Sequence, residues 1–241
     1  MKKDKHSASL FSIYNKESSA GTEFRRLYSN IRAKNQKIQT LMVTSAMVGE
    51  GKSLTSSLLA VTAAEYSKLK IALIDFDLRR PKISTYFGLE NSRGVADVLS
   101  GKATLKDVSL KTIVPNLTII PAGKVEGVPS DIFDQEKLSN IFQELKFYFD
   151  QIIVDSPPVV PISDPLLLAE HVEGVILVIK GGATQREVVG RAANLLTNAR
   201  VNVLGVVLND FEEVLPYYYK DRYYGYQYYH KHQKTDQSGV N

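Results

Sequence analysis

Cysteine is absent from the 241 residues of this sequence. Without thiols the chain can form neither a disulfide bridge nor a thiolate zinc site. Its four histidines are scattered, and no HExxH motif or other zinc-ligand spacing accompanies them. A Ser-His-Asp arrangement of the hydrolase type is also lacking, so the sequence predicts neither a zinc enzyme nor a serine hydrolase.

Long apolar segments are missing as well. No window approaches the roughly eighteen apolar residues that are needed to cross a bilayer. The charged N-terminus Met1–Lys5 is not followed by the apolar stretch that a signal peptide would have. We therefore expect a cytoplasmic chain without a membrane anchor of its own, long enough for one α/β domain with two extensions.

The net charge of +4 is unevenly distributed along the chain. Residues 1–37 hold nine Lys or Arg against three Asp or Glu, and residues 216–241 hold four against two, so the segment between them is net acidic. Nucleic-acid-binding domains usually carry their basic excess on the folded face that meets phosphates, and we expect no nucleic-acid partner here. Basic extensions suit an acidic protein or an anionic membrane surface, or reflect only the solvation of flexible ends.

What the sequence does have is an unusual density of tyrosine near its C-terminus. Eight of the thirteen tyrosines lie within one short segment: Tyr217, Tyr218, Tyr219, Tyr223, Tyr224, Tyr226, Tyr228 and Tyr229. They show neither alternation with aliphatic residues nor helical spacing, so they cannot form an ordinary buried face. The cluster is either a set of phosphorylatable hydroxyls or an adhesive aromatic segment used in self-association. The polar residues Lys231–Asn241 after it are expected to be disordered.

The central region alternates short apolar runs with amphipathic stretches, which predicts a doubly wound α/β fold with a mostly parallel sheet. The predicted strands are Ile38–Thr44, Ile71–Asp75, Leu117–Pro121, Ile152–Asp155, Val175–Ile179 and Val203–Leu208. The clearest predicted helices are Ser53–Lys68, Asp131–Phe149 and Thr184–Ala199, and Glu17–Lys34 is predicted to form a separate N-terminal helix. Asp131 is expected near the start of its helix, where a carboxylate suits the helix dipole.

A glycine-rich run lies between the first predicted strand and the next helix. In a phosphate-binding loop, backbone N–H groups surround the β-phosphate, a lysine reaches the β/γ oxygens and a hydroxyl binds Mg²⁺. Gly51, Lys52 and Ser53 match the core of this motif, although Ala46 stands where the strict pattern has glycine. The alternative is a glycine turn with a solvated lysine. We predict that Lys52 is exposed to ligand. The predicted nucleotide-binding residues are Gly49, Glu50, Gly51, Lys52, Ser53, Leu54 and Asn209, with Asn209 at the adenine edge or capping its strand.

Three carboxylates follow other predicted strands. Asp75 and Asp77 end one strand at a spacing of two residues, and Asp155 ends another. Because ligands of open α/β sheets bind at the carboxyl ends of the strands, we expect these acids to lie close to the glycine-rich loop. A single aspartate at such a place is commonly a turn former or a helix cap. Together with Lys52 and Ser53 the acids predict a metal–triphosphate site, with Ser53, Asp75 and Asp155 as Mg²⁺ ligands.

At these residues the sequence resembles the bacterial tyrosine kinases, P-loop kinases that govern capsule and exopolysaccharide synthesis. In that family Gly49–Ser53 corresponds to the Walker A motif, Asp75–Arg79 to the Walker A′ motif and Asp155 to the Walker B acid. The tyrosine-rich segment corresponds to a C-terminal tyrosine cluster, and Val128–Phe133 to a proline-containing loop before a helix. The resemblance implies an ATP- and Mg²⁺-dependent kinase that phosphorylates its own tyrosine cluster in trans.

The resemblance also implies roles for the acids and the lysine. Lys52, Asp75, Asp77 and Asp155 are the implied catalytic residues, with Asp77 as the candidate acceptor of the phenol proton; the division of roles between Asp75 and Asp77 stays open. Arg79 either senses phosphate or serves the structure.

Assembly and partners follow from the same resemblance. Glu23, Arg26 and Ser29 align with a Glu-x-x-Arg-x-x-Arg motif used in ring assembly, from which Ser29 departs. The resemblance implies three kinds of partner. Unphosphorylated copies of the chain would form a ring with one another. A separate membrane adaptor would activate the kinase and recruit it to the inner face of the membrane, and a cognate protein-tyrosine phosphatase would act on it. The expected divisions are an N-terminal basic extension with an oligomerisation helix (1–37), a P-loop kinase domain (38–214) and a largely disordered tyrosine-cluster tail (215–241).

The MinD and ParA ATPases share this fold and supply the rival hypothesis. Their Walker A motif has a signature lysine one residue after its first glycine, a position that Met47 occupies here. They also lack a tyrosine cluster. The alternative function is therefore a regulatory ATPase without kinase activity, in which the aromatic segment is an adhesive assembly element.

Overall fold

The computed structural model describes residue 10 and the ranges 18–33 and 38–210. In these residues seven strands form one sheet in the order β3-β4-β2-β5-β1-β6-β7, and every pairing is parallel except that of β3 with β4. The strands are β1 (Thr40–Ser45), β2 (Ile71–Asp75), β3 (Leu110–Lys111), β4 (Leu117–Ile120), β5 (Gln151–Asp155), β6 (Gly174–Lys180) and β7 (Val203–Asn209).

Helices cover both faces of the sheet. They are α1 (Ser19–Ala33), α2 (Lys52–Tyr66), α3 (Ile83–Phe87), α4 (Val95–Leu99), α5 (Leu105–Val108), α6 (Gln135–Tyr148), α7 (Asp164–Ala169) and α8 (Arg186–Asn198). The first three pack against one face and the other five against the opposite face, which gives two separate hydrophobic cores. Strand β1 contributes to both, since Leu41 and Val43 point into one core and Met42 into the other. The strands β1, β2 and β5 are completely buried, as their unbroken apolar runs predict.

The predicted fold class and all six predicted strands are confirmed, with boundaries that shift by up to two residues. The short antiparallel strand β3 was not predicted. The predicted helix Asp131–Phe149 is wrong at its beginning, because Pro129–Ile132 forms a separate 3₁₀ turn. Asp134 is the actual cap of α6, and its carboxylate accepts a hydrogen bond from the Lys137 N–H.

The strand order brings the carboxyl ends of β1, β2 and β5 together. Asp75 and Asp155 are direct partners in the register of β2 and β5, and Val43 of β1 is paired with Asp155 on the other side. The loop after β1 therefore lies at the same edge of the sheet as these two acids. Among the described residues, no helix has the length and apolar character needed to cross a membrane.

Candidate active site

The glycine-rich loop joins β1 to the N-terminus of α2. Gly49 and Gly51 have φ values of 85° and 91°, in the left-handed region that favours glycine. At Gly51 a side chain is disfavoured for a second reason as well, because a Cβ atom there would lie 2.0 Å from Asn209 Nδ2. Helix α2 begins at Lys52, and the first N–H groups of a helix have no helical partner, so the loop presents N–H donors and the positive end of a helix dipole. This is the arrangement that binds phosphate.

Lys52 lies at the centre of the site, surrounded by oxygen atoms. Its Nζ is 2.6 Å from Asp77 Oδ2 and 3.5 Å from Asp155 Oδ2. It also donates a hydrogen bond of 2.9 Å to Ser53 Oγ. Burial disfavours the ammonium, but the nearby carboxylates outweigh it and raise the pKa of Lys52. The expectation of an exposed lysine is wrong: the residue is 8% exposed because it is folded onto its acidic neighbours.

The two acids after β2 differ in what they contact. Asp75 accepts backbone hydrogen bonds from Asp77, Lys82 and Ile83, so its carboxylate holds the turn that leads into α3. Asp77 pairs with Lys52 through Oδ2 and accepts a hydrogen bond from the Arg80 N–H through Oδ1. Burial, followed by the charge of Asp155, holds the pKa of Asp75 well above its usual range. Asp77 therefore carries the more direct contact with Lys52.

Asp155 is a buried carboxylate with unused hydrogen-bonding capacity. It is fully buried, and no donor lies in good hydrogen-bond geometry to its oxygens, although the ammonium of Lys52 is 3.5 Å from Oδ2 and the hydroxyls of Ser53 and Ser56 are nearby. Burial raises the pKa of this carboxyl, and the charge of Lys52 only partly opposes the effect. Its burial penalty exceeds what Lys52 offsets, and a hydrated Mg²⁺ near Ser53 would supply further positive charge and hydrogen-bond donors. In the described part of the chain no three acidic or histidine side chains form a metal cluster by themselves.

Two further predicted residues hold the loop itself. The Glu50 carboxylate accepts hydrogen bonds from the Met47 N–H, at 2.7 Å, and from the Thr184 hydroxyl. Asn209 donates from Nδ2 to the Glu50 carbonyl at 2.9 Å. Asn209 therefore lies beside the loop, with its amide hydrogen engaged there; its contact with the adenine edge stays a prediction. Leu54 is half-buried in the first turn of α2 and packs against the core on that side of the sheet.

Sequence reasoning missed two residues at this edge. Asp164 is buried at the start of α7, and its Oδ2 lies 3.3 Å from Arg79 Nε, while its Oδ1 has no hydrogen-bond partner. The Asp-Pro pair at a helix start gave no sign of this contact, because it is an ordinary way to begin a helix. Thr184 was also missed, since an isolated threonine after a strand has no distinctive pattern.

The remaining predicted residues lie elsewhere. Glu23, Arg26 and Ser29 are exposed on α1, where Glu23 and Arg26 form an ion pair of 2.6 Å. The predicted phosphorylation sites, Tyr217 to Tyr229, lie outside the described residues. The structure thus brings together Lys52, Ser53 and the three aspartates.

The sequence is similar to one family model and to several known proteins. A family model described as ParA, NUBPL iron-transfer P-loop NTPase, matches residues 36–237. The chain is 35% identical to CapB of Staphylococcus aureus over 93% of its own length and 99% of that protein. It is 31% identical to the tyrosine-protein kinase YwqD of Bacillus subtilis, covering 78% of this chain and 79% of YwqD. It is 33% identical to the tyrosine-protein kinase CpsD of Streptococcus agalactiae, covering 81% of this chain and 84% of CpsD.

Solved structures give the same grouping. The kinase domain of the Escherichia coli tyrosine kinase ETK superposes with a TM-score of 0.77 and 28% identity over 83% of this chain and 79% of that one. The chimerical protein CapA2B2 superposes with a TM-score of 0.79 and 27% identity, covering 84% and 90%. The septum site-determining protein MinD of Pyrococcus horikoshii, complexed with Mg-ADP, has a lower TM-score of 0.61 at 26% identity, covering 70% and 69%.

Proposed function

This chain belongs to the bacterial tyrosine-protein kinases, within the ParA group of P-loop NTPases, and we propose that it transfers the γ-phosphoryl group of ATP to its own C-terminal tyrosines. The observation that carries the proposal is the Lys52–Asp77 contact of 2.6 Å beside the phosphate-binding loop. It places a cation for the transferred group next to a carboxylate able to receive a phenol proton. Bound Mg-ATP would supply the phosphoryl group and the charge of the metal.

Nucleotide would be held by the loop and by Lys52. The backbone N–H groups of Gly49–Ser53 would surround the phosphates, and the ammonium of Lys52 would neutralise charge that develops on them. Its raised pKa keeps Lys52 charged across the physiological pH range. Because phosphoryl transfer requires mainly positioning and charge stabilisation, these groups provide most of what the reaction needs.

Ser53, Asp155 and Asp75 are the proposed holders of Mg²⁺. The Ser53 hydroxyl already lies in the site, 2.9 Å from Lys52 Nζ, and Asp155 offers two oxygens to which no donor lies in good hydrogen-bond geometry. Asp75 is bound to three backbone N–H groups, so its proposed contact is through a water molecule. Asp155 is the stronger ligand candidate of the two acids.

Asp77 is the proposed acceptor of the tyrosine proton. A phenol has a pKa near 10, so little phenolate exists at neutral pH and a nearby carboxylate assists its attack. A new bond forms between the tyrosine oxygen and the γ-phosphorus, the bond from that phosphorus to the β–γ bridging oxygen breaks, and ADP leaves. The phenol proton passes to Asp77. The contact with Lys52 holds the Asp77 carboxylate at the site, where the phenol would arrive.

The proposed acceptors are the eight tyrosines between Tyr217 and Tyr229, used in trans between two copies of the chain. The proposed setting is the cytoplasmic face of the membrane, where an adaptor of the polysaccharide co-polymerase type recruits and activates the kinase and a phosphatase reverses the modification. Regulation of capsule or exopolysaccharide synthesis is the proposed output. The support for this setting is the family membership and the basic charge of residues 1–37.

A transfer assay separates this proposal from ATPase activity without transfer. Purified chain is incubated with Mg-ATP labelled in the γ-phosphate, and both protein-bound phosphotyrosine and free phosphate are measured. The proposal predicts phosphotyrosine that maps to residues 217–229. Free phosphate without phosphotyrosine, in the presence of an activating adaptor segment, would contradict it and favour the regulatory ATPase.

A further inference from the structure

The side chain of Glu50 is a buried acid inside the phosphate-binding loop. One carboxylate oxygen accepts a hydrogen bond from the Met47 N–H at 2.7 Å, and the other accepts one from the hydroxyl of Thr184. Thr184 follows β6 and lies 134 residues further along the chain. The glutamate therefore ties its own loop to a separate element of the fold.

The hydroxyl of Thr184 is oriented by its surroundings. It accepts a hydrogen bond of 3.0 Å from the Lys180 N–H, and the Thr184 N–H donates one of 3.0 Å to the Lys180 carbonyl. A hydroxyl has one proton, and the accepted hydrogen bond leaves that proton directed at Glu50. The contact is a charge-assisted hydrogen bond from a fixed turn, and such bonds are about twice as strong as neutral ones.

The backbone of Glu50 is fixed as well. Its carbonyl accepts a hydrogen bond of 2.9 Å from Asn209 Nδ2, and the same amide group leaves no room for a side chain at Gly51. In a trans peptide the carbonyl and the next N–H point in opposite directions. Because the Glu50 carbonyl is directed at Asn209, the Gly51 N–H is held facing away from it.

We propose that Glu50 and Thr184 are positioning residues that preorganise the loop N–H groups for nucleotide phosphates. This inference rests on the proposed nucleotide site and adds a network from β6 and β7 that sets its geometry. Both carboxylate oxygens of Glu50 and the hydroxyl of Thr184 are engaged by protein groups. Their loss therefore weakens nucleotide binding and raises the KM for ATP, while kcat at saturating ATP changes little.

The test is the affinity of the full chain for MgADP, measured by isothermal titration. Thr184→Val removes the hydroxyl with little change of shape, and it should weaken MgADP binding about tenfold, as expected for a lost hydrogen bond to a charged group. Thr184→Ser restores the donor and should bind within about twofold of the wild-type chain. Thr197→Val is the matched control, because that hydroxyl bonds only to the Ala193 carbonyl on the exposed side of α8.

Glu50→Gln provides a second, independent measurement. The new amide can accept a hydrogen bond from only one of Met47 and Thr184, so MgADP affinity should again fall. The double variant with Thr184→Val should be no weaker than the weaker single variant, since both break one network. Unchanged affinity in Thr184→Val, or effects that multiply in the double variant, would overturn the inference. Lack of MgADP binding by the wild-type chain would instead overturn the proposed nucleotide site.

Discussion

The ammonium of Lys52 lies 2.6 Å from the carboxylate of Asp77, and both side chains are at most 10% exposed. Asp155 adds a second carboxylate at 3.5 Å, and Asp75 lies opposite it in the sheet. One buried cation thus compensates three buried acids. This relationship links the chemistry of the site to the stability of the fold.

Lys52→Met should abolish phosphoryl transfer and also destabilise the protein. Loss of a contact that stabilises transition-state charge lowers rates by about 10²–10³. Removal of one partner of a buried ion pair typically lowers the free energy of unfolding by about 3–5 kcal/mol. Denaturant unfolding at neutral pH measures the second effect, and Lys68→Met, at an exposed position after α2, is the control. A variant with wild-type transfer rates would remove Lys52 from the mechanism.

The pH dependence of this destabilisation has a definite sign. Asp75 and Asp155 have raised pKa values in the folded protein, so these two acids take up protons as the pH falls towards their ordinary value of 3.8. A protonated acid needs no cation. The difference in unfolding free energy between the wild type and Lys52→Met should therefore shrink from pH 7 towards pH 4. A difference that stays constant over this range would show that the acids are not its cause.

Asp155→Asn should increase stability at neutral pH while it removes activity. Burial raises the pKa of Asp155, so keeping this group ionised lowers the stability of the folded state above its folded pKa. The amide carries no such penalty, and Lys52 keeps its closer partner, Asp77, at 2.6 Å. The stability gain should be largest at pH 7–8 and vanish below about pH 3.8, where the wild-type carboxyl is protonated in both states. Melting temperatures measured across this pH range test the prediction, with Asp131→Asn at an exposed position as the control. A lower melting temperature for Asp155→Asn than for the wild type at pH 7–8 would contradict it.

Asp77→Asn separates the two proposed roles for this acid. The amide keeps an oxygen for the Arg80 N–H but cannot accept the tyrosine proton. Transfer to tyrosine should therefore fall much more than MgADP affinity. Isothermal titration beside a transfer assay makes the comparison, and Asp155→Asn is expected to lose metal-dependent affinity as well. If Asp77→Asn lost affinity as strongly as rate, Asp77 would belong with the metal ligands.

Much of this site was predictable because its motifs are local. The glycine-rich loop and the acids at the ends of β2 and β5 follow apolar runs whose period and length identify buried strands. The burial of Lys52 was not predictable, because it depends on the side-chain conformation that brings the lysine onto Asp77. The contacts of Glu50 with Thr184 and of Arg79 with Asp164 join residues that are 134 and 85 positions apart. Such pairs arise from strand order, which the sequence pattern does not specify.

Phosphorylation of the tyrosine cluster should change the state of assembly. Each phosphate adds a charge of about −1.5 to −2 at pH 7, so several phosphates turn the basic segment 216–241 strongly negative. We expect unphosphorylated chains to form a ring through α1, where Glu23 and Arg26 are exposed, and phosphorylated chains to dissociate. Light scattering before and after Mg-ATP measures the mass, with a variant carrying Phe at all eight tyrosines as the control. An unchanged mass after full phosphorylation would contradict this switch and leave the kinase assignment intact.

The central claim is tested most directly by mixing two variants, neither of which should phosphorylate its own tail. The Lys52→Met chain keeps its tyrosines and lacks the proposed catalytic lysine. The variant with Phe at all eight positions keeps the site and lacks the proposed acceptors. The account predicts that neither becomes phosphorylated in its tail when it is incubated alone with Mg-ATP. In the mixture, phosphotyrosine should appear between residues 217 and 229 of the Lys52→Met chain, and its initial rate should rise with the concentration of the Phe variant. A mixture that stays unmodified, under conditions in which the wild-type chain phosphorylates itself, would contradict transfer in trans from this site.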